Sequence, residues 1–121
     1  MPTPLSRMTP ATLDVLAHLL ERDEATWGLA IAGATGRPTG SVYPILERLE
    51  SHEWVLSEWE ADGTRPGARR RLYRLAPDAR EQAADAVRAA RARAAAASAR
   101  AIDRASAAKA GRARPAAGGI A

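Results

Sequence analysis

The sequence predicts a mainly α protein of the α+β class, with a three-helix core, a two-stranded β-ribbon and a long C-terminal helix. Three observations lead there. Apolar residues recur at helical spacing in three short segments before residue 52. The period then changes to two over residues 54–60 and 70–75, on either side of a glycine- and proline-containing loop. From Pro77 to about Lys109 an alanine- and arginine-rich run contains no helix breaker after its first residue.

Length and composition bound this reading. A chain of 121 residues holds one small domain with an appendage. Alanine fills 22 of the 46 positions from Ala76 on, so the large apolar side chains lie almost wholly before Leu75 and the core comes from about 75 residues. There is no cysteine, which excludes disulfides, thiolate metal sites and thiol nucleophiles. No signal peptide or membrane span is legible, so a soluble cytoplasmic protein is expected. The formal net charge is +4, unevenly spread: nearly neutral up to Leu75 and basic beyond it.

Residues 1–8 carry two prolines and no periodicity, and read as a flexible arm. Thr9-Pro10 is a helix start, with Thr9 as N-cap and proline in the first turn. Leu13, Leu16, Ala17 and Leu20 follow at helical spacing, widened by Val15 and Leu19, and this helix should end near Arg22. Thr26 to Ala32 reads as a short second helix, with Trp27 and Ile31 on one face, closing at Gly33 to Gly36. A tight linker from Thr35 to Gly40 leads to the most informative stretch. There Val42, Ile45, Leu46 and Leu49 stand at i, i+3, i+4 and i+7, while Ser41, Tyr43, Pro44, Glu47, Arg48 and Ser51 occupy the opposite arc. Pro44 is tolerated if this helix begins at Gly40 or Ser41, because first-turn amides lack partners. Tyr43 then lies on the solvent side, an unusual place for an aromatic without core duty.

Trp54 to Glu60 reads as a strand, Ala61 to Arg69 as a hairpin loop and Arg70 to Leu75 as the returning strand. Residues 76–110 should form one long helix of high propensity but with no apolar stripe, since Val87 and Ile102 are its only large aliphatics. Residues 111–121 read as a disordered basic tail.

Two short helices joined by a tight turn and followed by a basic ribbon make a winged helix-turn-helix over residues 9–75. Its third helix fits a major groove about 12 Å wide, with N-terminal residues at base edges and its amide end toward phosphates. The candidate DNA-binding residues are Arg37, Thr39, Ser41, Tyr43, Pro44 and Arg48, with Arg65, Arg69 and Arg70 of the wing set along or in the adjacent minor groove. Strand alternation puts Arg69 and Arg71 on one face and Arg70 on the other, so the three cannot all serve one groove. Trp27, Trp54 and Trp59 are assigned to packing, and His18 and His52 to structural roles. No nucleophile and base can be paired, Gly36 and Gly40 flank no lysine, and neither enzyme activity, metal nor cofactor is implied.

The run Trp27-Gly28 with Ile31, then Gly40-Ser41-Val42-Tyr43-Pro44-Ile45-Leu46 with Leu49, then Arg65-Pro66 and Arg70-Arg71-Leu72-Tyr73-Arg74-Leu75, resembles the PadR-like transcriptional regulators. The resemblance implies a winged-helix homodimer that represses genes from an inverted repeat, with the tyrosine helix in the major groove and the last helix dimerising. The chain departs from that family's pattern in three places. Leu72 replaces an aromatic. Ala76 replaces a threonine cap, a change worth about 1 kcal/mol of helix stability. The last helix is nearly all alanine and arginine, where the family shows leucine and aromatic contacts. A small-molecule effector is not expected, because that helix offers no aromatics. Two further readings stand beside the regulator: an architectural, largely non-specific DNA binder using the basic tail, and an interaction module docking through the long helix.

Overall fold

The computed structural model describes residues 1–63 and 65–118, the last eight of them as backbone only. The element order is α1 (Pro10–Leu20), β1 (Thr26–Trp27), α2 (Gly28–Thr35), α3 (Thr39–Ser51), β2 (Val55–Trp59), β3 (Arg71–Leu75) and α4 (Arg80–Gly118), with a 3-10 turn over Pro77–Ala79 before α4. The chain divides into two units, residues 1–87 and the residues from Arg88 on.

In the first unit α1, α2 and α3 pack around one core. Thr9 caps α1 as its sequence predicts, its hydroxyl accepting the Thr12 amide at 3.2 Å. The buried side of α1 is centred on Thr12, Val15, Leu16 and Leu19, whereas Leu13, Ala17 and Leu20 are only half-buried. The apolar stripe of α3 is the one read from spacing: Val42, Ile45, Leu46 and Leu49 are all buried. Ala79 of the 3-10 turn and Ala83 and Val87 of the first turns of α4 join the same core. Ala76 precedes the 3-10 turn with no side-chain cap.

Where the sequence predicts a helix from Thr26, the chain instead makes a two-residue strand. β1 pairs antiparallel with β3, Thr26 opposite Tyr73 and Trp27 opposite Leu72, so the sheet has three strands in the order β1-β3-β2. The ribbon places β3 centrally and leaves one of its edges to be hydrogen-bonded, and two residues of β1 suffice for that. Trp27 therefore ends a strand and does not share a helix face with Ile31. The helix that follows passes through Gly33 and stops at Gly36, whose φ of +71° and amide bond to the Ala32 carbonyl (3.0 Å) form a left-handed cap.

Pro44 does not mark the start of α3. The helix begins at Thr39, with the Val42 amide already bonded to the Pro38 carbonyl at 3.0 Å, and Pro44 lies inside it. The Gly40 carbonyl thereby loses its donor four residues on. Gly40 is exposed, which leaves its carbonyl open to solvent in place of that donor, and the proline stands further into the helix than its chemistry alone suggests.

Residues 1–8, expected to be loose, are pinned to the α3–β2 junction. The Thr3 amide donates to the His52 carbonyl (2.9 Å), the Trp54 indole N–H donates to the Thr3 carbonyl (2.7 Å), and Leu5 and Met8 pack against the core. The reason is the buried Trp54, whose indole N–H needs an acceptor that the core does not supply. His52 joins this junction through a 2.9 Å hydrogen bond between its Nδ1 and the Thr3 hydroxyl.

In the second unit α4 is a single helix without an apolar face; every residue from 91 to 110 is exposed, Ile102 included. A disordered tail is expected from Gly111, but the backbone is helical to Gly118, through Gly111 and Pro115. Residues 119–121 lie outside the described residues.

Candidate nucleic-acid interface

The outward arc of α3 is set by its buried stripe. With Val42, Ile45, Leu46 and Leu49 facing inward, Thr39, Tyr43, Pro44, Glu47 and Arg48 are exposed and Ser41 is half-buried. Tyr43 is 41% exposed. Its ring leans on the start of α2, where Gly28 leaves room: a Cβ there would lie 2.4 Å from Tyr43 Cε1 and 2.9 Å from its hydroxyl oxygen. The missing side chain at Gly28 thus seats the aromatic that the sequence places on the solvent side.

The wing loop between β2 and β3 is closed by Glu60. The Glu60 amide donates to the Arg70 carbonyl (2.9 Å) and the Arg70 amide donates to Glu60 Oε1 (3.0 Å). Arg65 reaches back across the loop, pairing with Glu60 at 2.8 Å and donating to the Pro66 and Ala68 carbonyls at 3.0 and 2.9 Å.

Two tryptophans carry the arginines. Arg70 stacks 3.5 Å above the Trp27 ring, with Arg65 at 5.9 Å, while Arg69 and Arg71 stand 5.9 and 5.2 Å from Trp59. Arg69 and Arg71 meet one indole and Arg70 the other, the division that a two-residue alternation predicts, although only Arg71 lies within β3 itself. Together Trp27, Tyr43, Trp59, Ala68 and the four arginines line a cleft of about 470 Å³.

Most of this positive charge is compensated internally. Arg65 pairs with Glu60, Arg69 with Asp62 (3.2 Å) and Arg71 with Glu50 (3.7 Å). Glu50 also accepts from the Ser57 hydroxyl, which fixes it beside the sheet. Beneath it, burial pushes the Tyr73 phenol above its ordinary value; Glu50 adds to the shift and Arg71 opposes it. Arg70 and Arg48 meet no carboxylate among the described residues.

The structure thus brings together Tyr43, Arg65, Arg69 and Arg70 in one cleft and sets Thr39, Ser41, Pro44 and Arg48 on the same helix as Tyr43. Arg37 is elsewhere engaged: its Nε and Nη2 donate to Asp14 of α1 at 3.0 and 2.9 Å, and it does not line the cleft. Trp27 and Trp59, which the sequence reading assigns to packing, lie against the arginines, and Gly28 lies against Tyr43. Among the described residues no group of three or more His, Asp and Glu could hold a metal ion, and no helix is long and apolar enough to cross a membrane.

Comparison with protein families matches residues 15–85 to the transcriptional regulator PadR-like family, more than half of the chain. The chain belongs to the PadR-like family of transcriptional regulators. The matched span runs from α1 into the first turns of α4 and so takes in the second and third helices and the whole three-stranded wing.

Among curated proteins none shows significant similarity to this PadR-like chain. Solved structures do. Bordetella bronchiseptica BpsR is 24% identical, covers 71% of the chain and superposes with a TM-score of 0.59. A point mutant of Lactococcus lactis ZitR is 16% identical, covers 81% and gives a TM-score of 0.60. A transcriptional regulator homologue from Pyrococcus horikoshii is 17% identical, covers 69% of this chain and 79% of its own, and gives 0.58. These likenesses establish the winged-helix fold. The PadR-like chain spans 58% of BpsR and 63% of ZitR. DNA binding by BpsR is regulated by 6-hydroxynicotinic acid, and the expectation against an effector finds no support in these relatives.

Proposed function

We propose that the protein is a cytoplasmic repressor that binds an inverted-repeat operator as a homodimer. The observation that carries this reading is the exposed arc of α3, with Tyr43 seated on Gly28 beside a cleft lined by four guanidiniums. In this reading α3 enters the major groove. Ser41, Tyr43, Pro44 and Arg48 face base edges, and Thr39 meets phosphate near the helix N-terminus. Arg69 and Arg70 of the wing contact the backbone beside the adjacent minor groove. Arg65 belongs to the same surface as a cation shared with Glu60, and Arg37, paired with Asp14 outside the cleft, is assigned a separate phosphate contact.

Dimerisation is assigned to α4. Its alanine surface permits close helix approach, and an operator with half-sites one turn of DNA apart, about 34–36 Å, would match a two-fold dimer. Alanine buries little area, so at about 25 cal/mol per Å² a long contact is needed for a modest affinity. The exposed stretch from 91 to 110 also supports the architectural reading, since it carries Arg91, Arg93, Arg100, Arg104 and Lys109 against a single acid, Asp103.

Selection of bound duplexes from a random-sequence pool, followed by affinity measurement against bulk DNA at fixed salt, separates the two. The repressor reading expects an enriched inverted repeat with a large affinity gap. Enrichment of nothing, with steep salt dependence, replaces it with the architectural one; no binding at all leaves only a protein-interaction module.

A further inference from the structure

We propose that Trp27 is a positioning residue for DNA binding, holding Arg70 at the cleft as the wing's uncommitted cation for a backbone phosphate. This rests on the DNA-binding reading above but not on operator recognition.

The argument begins with charge. Of the four arginines lining the cleft, Arg65, Arg69 and Arg71 each lie within 2.8–3.7 Å of a carboxylate. A guanidinium beside a carboxylate projects little net field beyond the pair, and free charge is screened within about 8 Å at physiological salt. A phosphate docking at the cleft therefore gains most from a cation with no carboxylate of its own. Arg70 is that cation among the described residues.

Its placement is fixed twice over. The backbone of Arg70 is held by both hydrogen bonds to Glu60, which leaves its Cα no freedom. The side chain lies flat on Trp27 at 3.5 Å, the closest of the four arginine–indole approaches. Among the described residues its Nε is buried without an acceptor, and the ion pairs of the wing involve Arg65, Arg69 and Arg71 but not the Arg70 Nη groups. A planar cation with one face on an indole and its terminal nitrogens unclaimed is arranged to donate in-plane to a tetrahedral anion. Trp27 cannot be replaced in this by Trp59, whose two arginines are both paired with carboxylates.

The sequence supports the same division. Trp27-Gly28 is one dipeptide, in which Gly28 seats Tyr43 and Trp27 seats Arg70. The dipeptide is locked to β3 by the pairing of Trp27 with Leu72, two residues from Arg70. The helix aromatic and the wing cation are thereby held by adjacent residues of a single strand–helix junction.

The test uses the full chain and a random-sequence duplex, with affinity measured across a salt series. Arg70→Gln should lower affinity and reduce the slope of log K against log salt by about one unit. Trp27→Leu should cost about two- to fivefold at fixed salt in the native background, and nothing further when combined with Arg70→Gln. Trp27→Phe, which keeps a ring, should restore most of the loss. Thermal melts identify any variant that fails to fold; should Trp27→Leu do so, the cycle between Trp27→Met, which also removes the ring, and Arg70→Gln reports the coupling. Additive losses in the double variant, or a native salt slope in Arg70→Gln, would overturn the assignment while leaving DNA binding intact. Absence of binding by the native chain would instead remove the regulator reading, and this inference with it.

Discussion

Replacing Gly28 by alanine tests the seat of Tyr43 directly. A Cβ at this position would lie 2.4, 2.6 and 2.9 Å from Cε1, Cζ and the hydroxyl oxygen of Tyr43, well inside contact distance. The ring must move by about 1 Å to restore an ordinary carbon–carbon separation of about 3.5–4 Å. It has somewhere to go, because Tyr43 is 41% exposed. Overpacking in a closed core costs about 1–3 kcal/mol. An outward swing avoids most of that, and alanine regains up to about 1 kcal/mol of helix propensity over glycine. Folding stability should therefore change by less than about 1 kcal/mol. DNA recognition should change more. If Tyr43 reads a base edge, its displacement costs about 1–3 kcal/mol of discrimination between operator and unrelated DNA. Non-specific affinity and its salt slope should stay native, since no cation has moved. Thermal melting and competitive binding of the selected operator against random duplex measure both quantities. Native discrimination in Gly28→Ala, beside lost discrimination in Tyr43→Ala, would show that the seat does not matter. A melt lowered by more than about 3 kcal/mol would show the ring to be locked into the core and not presented from it.

Three further outcomes follow from the same geometry. Tyr43→Ala should keep its melting temperature and lose about 1–3 kcal/mol of sequence discrimination in the operator competition assay. Leu46→Ala, at a fully buried position of α3, should lose about 2–5 kcal/mol in denaturant unfolding, and a smaller loss would mean that the core refills the cavity. Tyr73 has a folded pKa raised above its unfolded value of 10.0, so the neutral phenol is favoured in the fold. Its contribution is complete below about pH 10 and lost as pH rises through the folded value; Tyr73→Phe should flatten that alkaline loss of stability in a pH series of melts.

Much of the fold is legible because its signals are local. The α3 stripe needs only the four apolar residues at helical spacing, and the Thr9 cap needs only a hydroxyl before a proline. The split of Arg69 and Arg71 from Arg70 follows a two-residue alternation read from Arg69 on, although β3 itself begins at Arg71. What escapes is what tertiary contacts decide. β1 is two residues long, too short to show a period, and exists because an edge of β3 needs a partner. Pro44 looks like a boundary, yet the exposed Gly40 carbonyl absorbs its missing amide. The arm at residues 1–8 has no pattern of its own and is ordered by the indole of Trp54. Gly28 gives no sign in sequence that an aromatic from another helix will rest on it.

The wing shows the same limit in its electrostatics. By composition, residues 65–71 look like a strongly basic patch, four arginines without an acid among them. Folding brings Glu50, Glu60 and Asp62 to three of those arginines, from α3, the end of β2 and the loop. The wing that meets solvent is therefore far less positive than its sequence. Contacts by Arg65, Arg69 and Arg71 with phosphate would have to displace or share a carboxylate, which subtracts from the gain of each contact. The wing's share of non-specific affinity should accordingly be weak for so arginine-rich a loop, and in the repressor reading more of the winged unit's binding free energy comes from α3. That balance favours a protein that discriminates among sequences over one that coats DNA. It also makes the carboxylates, and not the arginines alone, determinants of how strongly the wing grips.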